Sequence, residues 1–429
     1  MLIVALLVFT IFINLSWFDE ELHPQLQALK TLQTVPMDDN AYPLLWGLAA
    51  ADNKDPLMVG KAIVARQRAL YQEGKKIEIS ADELSEYFGG QDLDAEWQDS
   101  YQSLSCNSRL SIDCASQSLD EVKPLGIVSE RLRLVFQRYE QMLSQAHFQE
   151  NQEGDIFSPL PSYGLVMNVA RIYLSNKATN ASSSEFIEAA DQDRKFWLRM
   201  LRDGDYLIAK MVALAGIRNN LQMLSTLTRN GYFTTTELKQ LSSIIQPLTE
   251  AERDIGETFL AEMRINILGW DYQGLAHGDP SWLEKLFTQK NATLNEVYLK
   301  IMLPVQLHAT RTASEFYQQQ GFKRQPFNVR AFPPDLYNLA GKMSLKESWA
   351  GYDIQDYVTR THDVNGQISA FLLQLEVALN PDKGIQQIIQ QSQHRNPYTQ
   401  QPMDYDPQVK TLGFECLGKN SKDVCKVQL

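Results

Sequence analysis

Apolar and polar positions divide the chain into an uncharged opening, a long stretch with helical periodicity and a turn-rich end. Met1 to Phe18 reads MLIVALLVFTIFINLSWF and stops abruptly at Asp19-Glu20-Glu21. As one helix this run would be about 27 Å long at roughly 1.5 Å per residue, against a hydrocarbon core of about 30 Å. Residues 1–18 are therefore expected to form an uncleaved transmembrane anchor. Asn14 and Ser16 fall near its polar end, where Trp17 suits the interface. A secretory signal would need a basic start and a small-x-small cleavage site, and neither is clear here.

Beyond the acidic stop, Asp19 to Thr34 reads as a short polar helix broken at Val35-Pro36. Asp55-Pro56 places an N-cap before a proline at the first helical position and starts a helix through about Gln72. Residues 73 to 126 are irregular and read as an excursion with short helices. Val128 to Phe148 is amphipathic, with Leu132, Val135, Phe136, Tyr139, Met142 and Leu143 on one stripe. Helices are then expected from Pro161-Ser162 to about Leu174, up to Gly204, from Tyr206 to Arg229, from Thr235 to Gln246 and from Thr249 to Leu268. Their short connections predict antiparallel hairpins packed on their neighbours. Met211 to Ile217 is apolar on every side between Lys210 and Arg218, which predicts a buried core helix, since seven residues cannot span a bilayer. A repeat of about 34 residues is absent, so the array is irregular. Pro, Asn and Asp punctuate the tail around Met403-Tyr405 and Leu412-Phe414, which predicts a small β-hairpin. The fold class is thus mainly α: an irregular array of antiparallel helix hairpins with one N-terminal transmembrane helix and a C-terminal β-hairpin. The expected divisions are the anchor 1–18, a membrane-proximal helical region 19–126, the main helical body 127–395 and the tail 396–429.

Charge and cysteines place this architecture. The formal net charge is -12, and no block of five or more like charges occurs. This argues against nucleic acid, whose phosphates demand clustered Lys and Arg. The four cysteines form two close pairs, Cys106 with Cys114 and Cys416 with Cys425, in short polar loops. Local disulfides in an oxidising compartment are expected, each contributing about 2 to 3 kcal/mol in the chain-entropy model. Zinc is disfavoured because neither pair has C-x(2-4)-C spacing and no histidine is near. Anchor and disulfides together predict a single-pass protein of a bacterial inner membrane with its body in the periplasm.

Several segments carry a resemblance. DNAYPLLWGLAAADNKDPLMVGKA, LFTQKNATLNEVY (286–298), LYNLAGKMS (336–344) and YVTRTHDVNGQISAFLLQLEVAL (357–379) are similar to segments of an uncharacterised family of membrane-anchored proteobacterial proteins. The resemblance covers about a quarter of the chain. It implies the fold and the anchor, and no catalytic motif. NPYTQQPMDYD resembles the Asp-Pro-Phe-Thr-Gly-x-Pro-Leu-x-Tyr ending of many bacterial envelope proteins, with Asn396 for the usual Asp and Gln400 for the usual Gly. The Gly-Phe-Thr-x-x-x-Glu junction of pseudopilins is absent.

Candidate chemistry is sparse. His23, His147, His277, His308, His362 and His394 lack metal-ligand spacing, and no metal or cofactor is expected. Tyr357, Arg360, His362 and Asp363 set a base beside a carboxylate, and a helix-cap region, with Asp363 or Asn365 starting an apolar helix, is the reading adopted. Glu250, Glu252, Asp254, Glu257 and Glu262 read as the solvated acidic face of one helix, although paired carboxylates across a cleft could cleave glycosides. His308 reads as a core or groove histidine. The expected function is binding or scaffolding in the cell envelope, with a possible envelope protein partner. The alternatives are an envelope hydrolase acting on cell-wall or glycan material and a carrier with an apolar cavity.

Overall fold

Short polar side chains start the helices, and the computed structural model places most starts where the sequence does. It describes residues 2–29, 36–73, 78–89, 106–122, 130–150, 158–271, 288–319, 336–349, 354–418 and 424–429. The expectations for 30–35, 74–77, 90–105 and 123–129 lie outside the described residues. The first elements are α1 (Leu2–Ile13), α2 (Pro24–Ala28), α3 (Ala41–Gly47), α4 (Pro56–Gln72), α5 (Ala81–Phe88), α6 (Cys114–Val122) and α7 (Glu130–Leu143). Asp55 accepts from the Met58 N–H and Pro56 opens α4, as expected. The middle holds α8 (Tyr163–Asn180), α9 (Ser183–Asp203), α10 (Leu207–Arg229), α11 (Thr235–Ile244), α12 (Glu250–Arg253) and α13 (Gly256–Asp271). Ser182 with Glu185, Thr234 with Glu237 and Thr249 with Glu252 form capping boxes, satisfying N–H groups left over at each helix start. After these come α14 (Lys290–Val297), a π-helical turn at Tyr298–Met302, α15 (Leu303–Ala309), α16 (Ala313–Gln318), α17 (Leu339–Trp349), α18 (Ile354–Leu379) and α19 (Ile385–Gln391).

α10 lies at the centre. It packs on α6, α8, α9 and α18, and Ala213, Leu214, Ile217, Asn220 and Leu224 along it are all buried. Met211 and Ala215 are half-buried and the rest of the expected core segment is buried, with a specific cause at Gly216, where any Cβ would collide with the indole of Trp197. Trp197 on α9 therefore lies against the backbone of α10. One continuous core links α3 and α4 to α7 through α10 and the middle of α18. A second core joins Leu22 and Leu26 to Phe259, Met263, Tyr298, Val305 and Val358.

The opening run departs from the expected span. α1 is 12 residues long, which is about 18 Å at 1.5 Å per residue. Among the described residues no helix is long and apolar enough to cross a membrane. The physical reason lies at Asn14, which is 1% exposed. Its side-chain amide donates to the carbonyls of Thr10 at 2.8 Å and Leu336 at 2.6 Å, and its Oδ1 accepts the Asn338 N–H at 2.9 Å. Gln289 donates to the Asn14 carbonyl. These bonds turn the chain out of the helix and onto the body. Asp19 then takes the N–H groups of Asn291 (2.8 Å) and Ala292 (3.0 Å) in the first turn of α14, where a carboxylate suits the helix dipole. Asn295 bonds the Glu21 carbonyl at 2.9 Å and the His23 N–H at 2.8 Å. Tyr337 donates to the Phe18 carbonyl at 3.0 Å. Residues 14–23 are thereby stitched to 289–295 and 336–338.

The tail is a three-stranded antiparallel sheet in the order β1-β2-β3, formed by β1 (Asp404–Asp406), β2 (Thr411–Gly413) and β3 (Lys426–Gln428). The expected hairpin is its first two strands. β3 was not expected; it follows Cys425, and the second disulfide brings it beside β2, with Leu412 opposite Val427. Cys106–Cys114 and Cys416–Cys425 are both bonded, each with Cα atoms 5.5 Å apart. Peptide mapping without reductant is expected to recover these two pairs, and free thiols in the native protein would contradict them. Gln400 has φ of 60°, the left-handed conformation in which glycine carries no Cβ penalty. Gln400→Gly is expected to stabilise the fold by about 0.5 to 1 kcal/mol in urea melts.

Candidate functional site

The residues singled out in the sequence fall on α18 and around the start of α10. Tyr357, Arg360, His362 and Asp363 lie inside α18, one to three turns from its start at Ile354, and not in a cap. The cap reading fails because the apolar pattern after Asn365 continues a helix already under way. Its side chains also point to different tasks. Arg360 pairs with Asp356 and lies 5.0 Å over the Tyr357 ring. His362 is 1% exposed, its ring 5.4 Å from that of Phe316, and among the described residues neither ring nitrogen has a hydrogen-bond partner. Burial, then the Arg253 charge, lowers its pKa to about 4, so the imidazole is neutral. Asp363 accepts from the Tyr398 hydroxyl at 2.6 Å and from the N–H groups of Leu417 (3.1 Å) and Gly418 (3.2 Å). Burial raises its pKa although those bonds oppose the shift. It is a tie for the tail, not a base's partner. Its carboxylate also lies near Cys416 and Cys425, whose sulfurs are bonded to each other and cannot serve as thiolate ligands.

The acidic stretch also differs from expectation. It is two helices, because Asp254 accepts the Gly256 N–H at 2.7 Å and starts α13 afresh. Glu250 and Glu257 are exposed. Glu262 turns inward, accepts the Leu207 N–H at 2.9 Å at the start of α10, and has its pKa raised by burial. Glu150, fully buried, accepts the N–H of Asp205, two residues before Leu207, at 2.6 Å. Burial raises Glu150 well above the usual carboxylate range, and brings Asp205 up to about 6. This buried carboxylate group was invisible in sequence, since Glu150 and Asp205 are far apart in the chain. His308 on α15 lies 2.6 Å from a guanidinium nitrogen of Arg311, and burial followed by that charge lowers its pKa.

Two open cavities border α18. The larger, about 580 Å³, lies between α11, α16, α18 and the tail, and is lined mainly by amides and hydroxyls with Arg253, His394 and Arg395. The other, about 390 Å³, is lined by Arg109, Arg171, Arg218 and Arg360 together with Asn107, Ser108 and Asn168. Neither has a carboxylate among its described lining residues. Its arginines come from four separate parts of the chain, which is why sequence reading missed them. The available signal was the spacing Gly164, Met167, Asn168, Arg171 on α8 and Met211, Leu214, Ala215, Arg218 on α10, which puts each set on one helical face. Comparison with protein-family models, curated proteins and solved structures finds no match to this chain.

Proposed function

We infer that this is a membrane-tethered binding or scaffolding protein of a bacterial cell envelope, with α1 seated in the inner membrane and the helical body held at its periplasmic face. The observation that carries the reading is the contrast across Asn14. Before it, Val4, Leu6, Val8, Phe9, Ile11 and Phe12 are 43% to 63% exposed; after it, hydrogen bonds fasten the chain to the body. Apolar side chains exposed all round a helix call for lipid cover. The two disulfides support an oxidising compartment. A hydrolase working through paired carboxylates needs them facing one another across an open cleft, and neither cavity has one among its described lining residues.

The full chain is expected to pellet with membranes and to resist carbonate extraction. Val8→Asp with Phe12→Asp, which puts two charges on exposed positions of α1 without touching the body, is expected to release most of it. Extraction of the parent protein by carbonate would overturn the tether. An alkaline-phosphatase fusion after Leu429 is expected to be active, and an inactive fusion beside an active cytoplasmic reporter would reverse the orientation.

A further inference from the structure

The larger cavity, about 580 Å³, has an apolar floor and a polar rim. Ile245, Leu248, Ala313 and Leu372 are its buried floor, while Ser242, Gln246, Gln393 and Gln400 are exposed around it. Both walls are fixed to α18. Asn365 Oδ1 accepts the Leu248 N–H at 2.8 Å and so holds the loop after α11. The tail is held by the Tyr398 hydroxyl on Asp363, and by Pro397 lying against Gly366, where a Cβ would meet the proline ring. The rim amides are fixed in turn, each with one half bonded within the protein. Gln246 Nε2 donates to the Ser243 carbonyl at 3.0 Å and Gln400 Nε2 to the Pro397 carbonyl at 2.9 Å, which leaves each Oε1 as an acceptor among the described residues. Asn365 is the converse: its Oδ1 is used, and its NH2 group is the donor left. Ser369 Oγ donates to the Asn365 carbonyl at 3.3 Å and keeps its lone pairs. Burial lowers the pKa of His394 against the pull of Glu376, so at neutral pH its ring offers one donor and one acceptor.

Gln400 adds an independent sign. It holds the left-handed conformation that favours glycine, so its side chain is kept on the rim at a cost to the fold, and strained positions of this kind gather at ligand sites. The chemistry of the rim then selects the ligand. An anion is met by donors and a cation by acceptors, whereas here fixed donors and acceptors alternate. Arg253 and Arg395, bonded to the carbonyls of Arg311 (3.5 Å) and Gln390 (2.9 Å), add donors to the same set. Hydroxyl groups match such a set, because each both donates and accepts and turns to suit its partner. The floor takes the C–H faces of a sugar ring, and the volume falls in the range of about 300 to 1,000 Å³ that holds a small ligand. We propose that this cavity binds a short neutral oligosaccharide, its hydroxyls on Gln246, Asn365, Ser369, His394 and Gln400 and its ring faces on Leu248 and Leu372. The site gives a ligand class to the binding role proposed above and rests on that reading only for where the sugar is met.

Calorimetric titration of the full chain, in a detergent without a sugar headgroup, with maltotriose, cellotriose and N,N′-diacetylchitobiose tests this. At least one of the three is expected to bind at millimolar concentration. Gln400→Gly is expected to weaken that sugar about fivefold, the loss of one neutral hydrogen bond, while raising the urea midpoint. A variant that is more stable and binds less cannot owe its loss to unfolding. Ser369→Phe puts a ring into the cavity, and is expected to abolish binding with the helical circular dichroism unchanged. Acetyl-trialanine amide is the peptide control and is expected not to bind. Membrane pelleting and sugar binding are read separately, so loss of sugar binding in a protein that still pellets strikes the site alone. Absence of binding by all three sugars at millimolar concentration, unchanged affinity in either variant, or binding of the peptide in place of the sugars overturns the proposal.

Discussion

Asp193→Ala is expected to lower the folding free energy by about 3 to 5 kcal/mol in urea titrations at pH 5, because it leaves several buried donors without an acceptor. Asp193 on α9 is fully buried at the contact of α7, α9 and α10. Its Oδ1 accepts the Tyr139 hydroxyl and, at 3.1 Å, the Trp197 indole N–H; its Oδ2 accepts the Asn220 amide at 2.8 Å. Three helices are thus keyed to one carboxyl group. Burial raises its pKa to about 6, although all three bonds oppose that shift. A carboxyl group raised above its unfolded value contributes stability that is complete below the unfolded pKa and is lost as pH rises through about 6. The penalty of Asp193→Ala is accordingly expected to be smaller at pH 8 than at pH 5. Asp193→Asn keeps the shape but offers only one acceptor atom, and is expected to fall between the two. A loss below about 1 kcal/mol at pH 5 would mean that the network does not hold these helices together.

His362→Phe is expected to stabilise the protein in acid and to change little at pH 8. With a pKa lowered to about 4 in the fold and about 6.5 in the unfolded chain, the unfolded state binds the extra proton. Stability from this group is present above the unfolded pKa and is lost as pH falls toward 4. The difference comes to about 2 kcal/mol at pH 5 and about 3 kcal/mol at pH 4. Phenylalanine keeps an aromatic ring beside Phe316, removes two ring nitrogens that have no partner among the described residues, and cannot titrate. Chemical denaturation of both proteins at pH 5 and pH 8 checks the sign. Equal stability differences at the two values would show that His362 does not titrate in this range.

Local signals were legible wherever a few neighbouring residues decide the outcome. Asp55-Pro56 opens α4, and Met211 to Ile217 lies in the core apart from Met211 and Ala215, because caps and hydrophobic periodicity act within one or two turns. The acidic stretch failed for a local reason that the pattern did not disclose: Asp254 caps a new helix and so splits what reads as one. At Asp363 the misreading was of another kind. A polar residue before an apolar run has the signature of a cap, yet here the same carboxylate accepts bonds from Tyr398 and from the loop at Leu417 and Gly418. The arginine-lined cavity was the least legible feature, since Arg109, Arg171, Arg218 and Arg360 come together only through three helices and a disulfide loop.

By itself the sequence determined the helical class, the breaks between most helices, the two cysteine pairs and an apolar opening distinct from everything after it. All of these follow from interactions between residues close in the chain. Only the tertiary structure decided that α1 stops at Ile13, that Asn14 and Asp19 fasten its end to α14 and Asn338, that the tail has a third strand, and that guanidinium groups share a cavity. The fastening of α1 depends on polar groups about 270 to 320 residues apart, and the third strand and the cavity on partners that no short window of sequence contains. No local pattern encodes such a partner; it is set by how the helices pack around α10.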